Sequence, residues 1–273
     1  MEKYSVLMSL YIKEKSKYLD VAIKSMVDQT LKPDEIVIVK DGPITAELEN
    51  ILNKYIKEYP KLFNIIGYEK NKGLGYALNF GLEHCKNELI ARMDTDDISK
   101  ISRCEEQIKL FKKYPEIDIV GGDISEFINF ENNIVSYRRV PKLDKEIKEY
   151  LKIRCPLNHV TVMFKKSSVI KSGGYIDLFW NEDYYLWIRM AEKGCIMENT
   201  GTVLVNVRIG KDMYQRRGGK KYFESEKYLQ DYMFSKKIID KKTYILNIFK
   251  RFIVQMILPN SIRGWIFKNF ARN

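Results

Sequence analysis

Apolar residues along this chain keep two rhythms. Continuous runs, YSVLMSLY at 4–11, EIVIV at 35–39, LFNIIGYE at 62–69 and ELIARM at 88–93, alternate with longer stretches of helical spacing. In residues 17–30, Leu19, Ala22, Ile23, Met26 and Val27 fall on one helical stripe. Residues 46–59 and 75–85 repeat that spacing. Continuous strands separated by amphipathic helices predict βαβ units and an α/β fold, a doubly wound, mostly parallel sheet covered on both faces.

The pattern loosens after residue 100. Residues 102–115 read as a helix closed by Pro115, IDIVGG as a strand, and EFINFENNIVSYRRV as a small antiparallel excursion. Residues 145–154 are helical, 159–166 a strand, 181–194 a helix with Gly194 at its C-terminal cap, and 201–210 a late strand. The residues beyond 210 are basic, aromatic and helical in character. The compositional shift there divides a unit at 1–210, with halves at 1–100 and 101–210, from an extension at 211–273.

Ligands of parallel sheets bind beyond the carboxyl ends of the strands. The segments there are SLY, KDGP, KNKGLG and DTDD. The last holds Asp94, Asp96 and Asp97, which repel one another. Capping of a helix near Ser99 or Ser102 accounts for Asp97 alone. A divalent cation shared with a diphosphate accounts for the cluster, and hard oxygen ligands of this kind suit Mn²⁺ or Mg²⁺.

Composition narrows the partners. A net charge of +11 and a pI near 9.2 point to something anionic: nucleic acid, an acidic membrane face or phosphorylated small molecules. The four cysteines are scattered with no C-x-x-C pair, which disfavours a zinc site or disulfide framework and fits a reducing, cytoplasmic setting. The N-terminal apolar run is too short for a secretory signal, and no stretch is long and apolar enough to span a membrane.

Five segments, SVLMSLYIKEKSKYLDVAIKSMVDQT, DEIVIVKDGP, NKGLGYALNFGL, ARMDTDD and NEDYYLWIRMAEKG, occur in this order. Together they resemble family 2 glycosyltransferases of the GT-A fold, of the kind that build bacterial capsules and O-antigens, over residues 4–210. The resemblance implies a nucleotide site made of Ser9, Leu10, Tyr11, Asp41, Asn71, Lys72, Gly73, Arg92, Asp94 and Thr95. It implies that Asp41 accepts from the uracil N3–H, although many relatives carry two acids where this chain has Lys40-Asp41. Asp94 and Asp96 would ligate the metal. Arg92 could hold a diphosphate with its fork, pair with an aspartate, or form a surface salt bridge. Asp183 would be the general base that takes a proton from the acceptor hydroxyl, with Glu182 as the second choice. His159, Arg216 and Arg217 are candidate contacts to acceptor or phosphate; satisfied polar residues would read the same.

The C-terminal residues 244–273 mix apolar and basic positions around Pro259. They read either as an anchor on an anionic leaflet, each basic side chain adding on the order of 1 kcal/mol, or as helices packed back on the catalytic unit. No Q-x-x-R-W signature is present, which favours addition of one sugar. The expectation is an inverting enzyme at the cytoplasmic face of the cell membrane. Its donor would be a UDP-sugar, and its acceptor a saccharide on a polyprenyl diphosphate. A nucleotidyltransferase is the alternative, disfavoured because no glycine-rich run follows the first strand. Nucleic acid is not expected as a partner, since the basic residues concentrate after residue 210 and no known nucleic-acid motif is present.

Overall fold

A computed structural model describes residues 3–210 and 218–259. Arg216, Arg217 and everything beyond residue 259 lie outside the described residues. The first half follows the apolar rhythm: β1 (Tyr4–Leu10), α1 (Ser16–Val27), β2 (Glu35–Asp41), α2 (Ala46–Glu58), β3 (Phe63–Tyr68), α3 (Leu74–His84) and β4 (Leu89–Met93). These strands lie parallel in the order β3-β2-β1-β4. Their carboxyl ends therefore share one edge, where the loops after residues 10, 41, 68 and 93 converge.

The second half is mixed. It comprises β5 (Ile98–Ser99), α4 (Arg103–Lys113), β6 (Ile119–Phe127), β7 (Ile134–Arg138), α5 (Asp144–Leu151), β8 (Met163–Lys165), α6 (Lys166–Lys171), α7 (Glu182–Glu192) and β9 (Met197–Arg208). β8 bridges β4 and β6 antiparallel to both, β9 runs parallel to β6, and β5 pairs antiparallel with β9. β7 folds back on β6 as the expected antiparallel excursion. β6 and β9 are longer than their apolar runs suggested.

The strand expected at 159–166 is cut short. Residues 159–161 form a 3₁₀ turn, only Met163–Lys165 is strand, and a helix follows at once. Buried side chains have replaced the ladder there. The Thr161 hydroxyl bonds Asn158 O (2.7 Å), and the Gln107 amide donates to Thr161 O (2.7 Å).

The sheet is covered on both sides. Val6, Met8 and Leu10 of β1 pack with α1, α2 and α4, while Leu7 packs with α3 and α7. Leu229 and Met233 of α8 (Lys220–Ser235) join that second cluster. α9 (Lys241–Phe252) packs back as well: Asn247 Nδ2 donates to Lys152 O and to Gln230 Oε1, both at 2.9 Å.

α3 sits close to the sheet because Gly81 faces it. A Cβ there would lie 2.3 Å from Leu7 Cδ1 and 2.8 Å from Val39 Cγ2. Gly81→Ala gains helix propensity but overpacks this contact, so a net loss of about 1–2 kcal/mol is expected in chemical denaturation. An unchanged or higher midpoint would contradict the close packing.

Candidate active site

Alternation along β4 decides what enters the site. Leu89, Ala91 and Met93 face the α4 side, and Ile90 faces the α7 side. Arg92 follows Ile90. Its side chain is 3% exposed and grips Asp94 with both arms of its fork, Nη1 reaching Oδ2 at 2.6 Å and Nη2 reaching Oδ1. Of the roles open to Arg92, the structure thus realises pairing with an aspartate, in a buried rather than a surface bridge. Beneath it Arg103, fully buried on α4, donates to Arg92 O (2.7 Å) and Val162 O (3.3 Å). Burial pulls the Arg103 guanidinium down to about 10.

Oxygens of Asp94, Asp96 and Asp97 lie within 4.8 Å of one another. Asp97 does not cap α4. It accepts from Arg208 N (2.7 Å), and Arg208 Nε donates to Asp96 O (3.1 Å). Thr95 is buried, its hydroxyl donating to Glu14 Oε2 at 3.0 Å, so its side chain braces the turn from within. Burial, then the charges of Asp94 and Glu14, push the Asp96 carboxyl up to about 7. Burial, then Asp96 and Asp94, hold Asp97 well above the usual carboxylate range. Clustered hard oxygens that resist ionising together are a set that a divalent cation relieves. Asp94 and Asp96 therefore fit the metal role, and Asp97 joins them.

The nucleotide-side candidates gather at the carboxyl ends of β1–β3. Ser9 is half-buried and Tyr11 exposed, but the Leu10 side chain is fully buried in the core, so only its backbone can face a ligand. Asp41 departs from expectation. Its two oxygens accept from Tyr68 OH (2.8 Å), Asn71 Nδ2 (2.8 Å), Lys72 N (2.7 Å) and Gly73 N (3.1 Å). Four donors fill a carboxylate's acceptor sites. Asp41 thus ties down the loop at 71–73, and a uracil N3–H would have to displace one of these partners. Gly73 has φ +89°, a conformation glycine adopts freely. Lys72 Nζ lies 4.2 Å from the Tyr76 ring centre and bonds its hydroxyl at 3.1 Å.

A cavity of about 760 Å³ opens on the other side of Asp94. Asp183 stands in its wall, with Arg138, Arg154, Trp180 and Lys250. The start of α7 is anchored from α8, where Ser225 Oγ accepts from Asn181 Nδ2 at 2.9 Å. Glu182 turns toward α3: a Cβ on Gly75 would lie 3.9 Å from its Cβ. Burial, then the Asp183 charge, raise the Glu182 carboxyl to about 7. His159 is not among the residues lining the cavity. Its Nε2 meets Tyr175 OH at 3.0 Å, and burial, then Arg92, keep the ring neutral. Of the two roles the sequence left open for His159, this is the satisfied polar one.

Sequence reasoning passed over Arg103, Arg138, Arg154, Arg208 and Glu14. Arg103 and Gln107 did leave a trace, as polar residues beside Cys104, Ile108 and Phe111 on a helix's buried stripe. Arg138, Arg208 and Glu14 act through contacts between distant segments, and Arg154, which bonds the Tyr150 hydroxyl nearby, is placed by the cavity it lines.

Residues 5–172 match the family described as Glycosyl transferase family 2. A Haemophilus influenzae protein described as an uncharacterized glycosyltransferase is 40% identical over 270 residues, covering 99% of each chain. An Escherichia coli protein described as UDP-Gal:alpha-D-GlcNAc-diphosphoundecaprenol beta-1,3-galactosyltransferase is 38% identical, covering 99% of this chain and 97% of its own. An Erwinia amylovora amylovoran biosynthesis glycosyltransferase is 40% identical over 82% of each. Among solved structures, Staphylococcus aureus TarS 1–349 with UDP-GlcNAc superposes with a TM-score of 0.69 at 14% identity, over 97% of this chain and 79% of that one. The Pyrobaculum calidifontis mannosyltransferase PcManGT with GDP-Man and Mn²⁺ gives 0.63 at 14% identity, over 96% and 71%. At such identities these two speak for the fold, which is GT-A in type.

The raised acids fix a sign for stability. Asp96 ionises at 3.8 when free and at about 7 in the fold. Its contribution to stability is thus full below about pH 4 and lost as pH rises toward 7. Removing the charge should help increasingly across that window and in full above it. Asp96→Asn should stabilise the metal-free protein by on the order of 1 kcal/mol at about pH 8 and leave it unchanged near pH 4, read by thermal unfolding. A loss of stability at pH 8 would refute the repulsion.

Proposed function

The chain belongs to glycosyltransferase family 2, and from that premise we propose that it moves one sugar from a UDP-sugar to a saccharide carried on a polyprenyl diphosphate. Such a step belongs to the assembly of a surface polysaccharide, as in the relatives' names. The observation that carries the reading is that one cavity is walled by both Asp94, of the acidic cluster, and Asp183. Donor and acceptor can meet between them. Family membership removes the nucleotidyltransferase alternative.

In this reading the nucleotide lies across the carboxyl ends of β1–β4, along Ser9, Tyr11, residues 71–73 and Asp94. Asp94 and Asp96, with Asp97 beside them, would hold Mn²⁺ or Mg²⁺, which would supply positive charge against the departing diphosphate. Arg92 holds the Asp94 carboxylate in one orientation through two parallel hydrogen bonds. Asp183 accepts the proton of the acceptor hydroxyl as that oxygen bonds to the anomeric carbon from the face opposite the leaving group. The bond from that carbon to the UDP phosphate oxygen breaks, and configuration inverts. Asp183 lies in the first turn of α7, and its Oδ1 accepts from Tyr184 N at 2.7 Å. Arg138, Arg154 and Lys250 offer cations to the acceptor's phosphates. A lipid-borne acceptor places the work at the inner face of the cell membrane.

UDP-galactose is the first donor to test, with N-acetylglucosamine on a diphospholipid as acceptor. With Mn²⁺ present, Asp183→Asn should bind UDP as the wild type does and lose about 10²- to 10⁴-fold in kcat. Asp96→Ala should abolish metal-dependent UDP binding in calorimetry. Transfer by Asp183→Asn at the wild-type rate would remove Asp183 as the base. UDP binding that ignores metal would remove the cluster's proposed role.

A further inference from the structure

Helix α9 and the wide helical turn that follows it, Ile253–Ile257, are built inside out. Three of their polar side chains face the protein. Asn247 and Gln255 are buried, and Arg251 pairs with Glu226 at 2.5 Å while donating to Ile153 O at 2.9 Å. Six of their apolar side chains face away. Ile245, Leu246, Phe249, Phe252, Met256 and Ile257 are each between 41% and 61% exposed. Positions 245, 249, 252 and 256 fall at i, i+4, i+7 and i+11, a single stripe. A surface helix ordinarily turns such a stripe inward, and a contiguous exposed patch of this kind marks an interaction surface.

The surroundings of the stripe indicate what covers it. Lys241 and Lys242 stand at the start of α9 and Lys250 on its flank, and among the described residues none of the three forms an ion pair. An apolar centre with a cationic rim complements the acyl boundary and anionic headgroups of a bilayer. The chain's charge of +11 has the same sense. No helix among the described residues is long and apolar enough to cross a membrane, so the contact is with the surface. The same segment also lines the cavity: Lys250, Arg251, Val254 and Gln255 share that wall with Asp183.

We propose that the outward stripe of α9 seats on an anionic bilayer surface, and that this seating brings the cavity to headgroup level, where a lipid-linked diphosphate enters it. The second half rests on the acceptor proposed above; the first does not. Packing on the catalytic unit and binding a membrane, opposed readings of the sequence, are then the two faces of one helix.

Vesicle flotation of the full chain tests the seating with no donor or acceptor present. The wild type should bind vesicles of phosphatidylglycerol and phosphatidylcholine, and bind phosphatidylcholine alone far less. Ile245→Asp/Phe249→Asp should lose about tenfold or more of that binding. The same variant should keep the wild-type thermal unfolding midpoint and the wild-type rate on a short soluble acceptor. Absence of wild-type binding would overturn the proposal. So would a variant that binds as well as the wild type, or one that only dissociates a dimer in light scattering. If vesicle binding follows the expected pattern while lipid-linked acceptors are never used, the seating stands and the acceptor reading falls.

Discussion

The Arg92–Asp94 pair, closed in by Arg103 below and Arg208 at the side, keeps three carboxylates within 4.8 Å of one another at the end of a buried strand. Left to themselves such groups would repel and seek water. Here Arg92 holds the Asp94 carboxylate, the Arg208 amide holds Asp97, and Arg103 steadies the backbone carbonyl of Arg92. Arg92 belongs to the same strand, Arg103 to the helix that follows, and Arg208 to the end of a strand more than a hundred residues later. The cost of confining the acids shows in the upward displacement of Asp96 and Asp97. Acids confined in this way are a set that could hold a divalent cation.

The sheet distributes the remaining work. Parallel β1–β4 bring four loops to one edge, and Asp41 uses all its acceptor capacity to shape one of them. The mixed second half carries α7 across the sheet so that its first turn meets the cavity beside Asp94. α8 then locks that turn through Ser225 and Asn181. In the proposed reaction, donor recognition and acceptor activation come from halves of the chain with different strand directions, joined at Asp94.

The C-terminal helices belong to the same logic. α9 spends its polar residues on the cavity wall and on bonds to backbone carbonyls at 152 and 153. Its apolar residues are left on the outside. One segment thus contributes both to the wall of the cavity and to the exposed stripe.

Local sequence sufficed for the first hundred residues. Continuous β-branched runs, amphipathic helices and the Asp-rich turn each carry their own physical signature, and β1–β4, α1–α3 and the acidic cluster stand where those signatures put them. Five ordered segments likewise carried the family, because spacing along the chain preserves the order of strand ends in the sheet. The partners of those residues were another matter. That Asp41 is saturated by its own loop, that Arg92 points toward α7, that His159 bonds Tyr175 and that Arg208 meets Asp97 are facts about segments far apart in sequence, which periodicity does not encode. The orientation of α9 is the plainest case: its stripe was visible in the sequence, but which face turns inward depended on Glu226, Gln230 and the carbonyls at 152 and 153, which only the packed chain brings together.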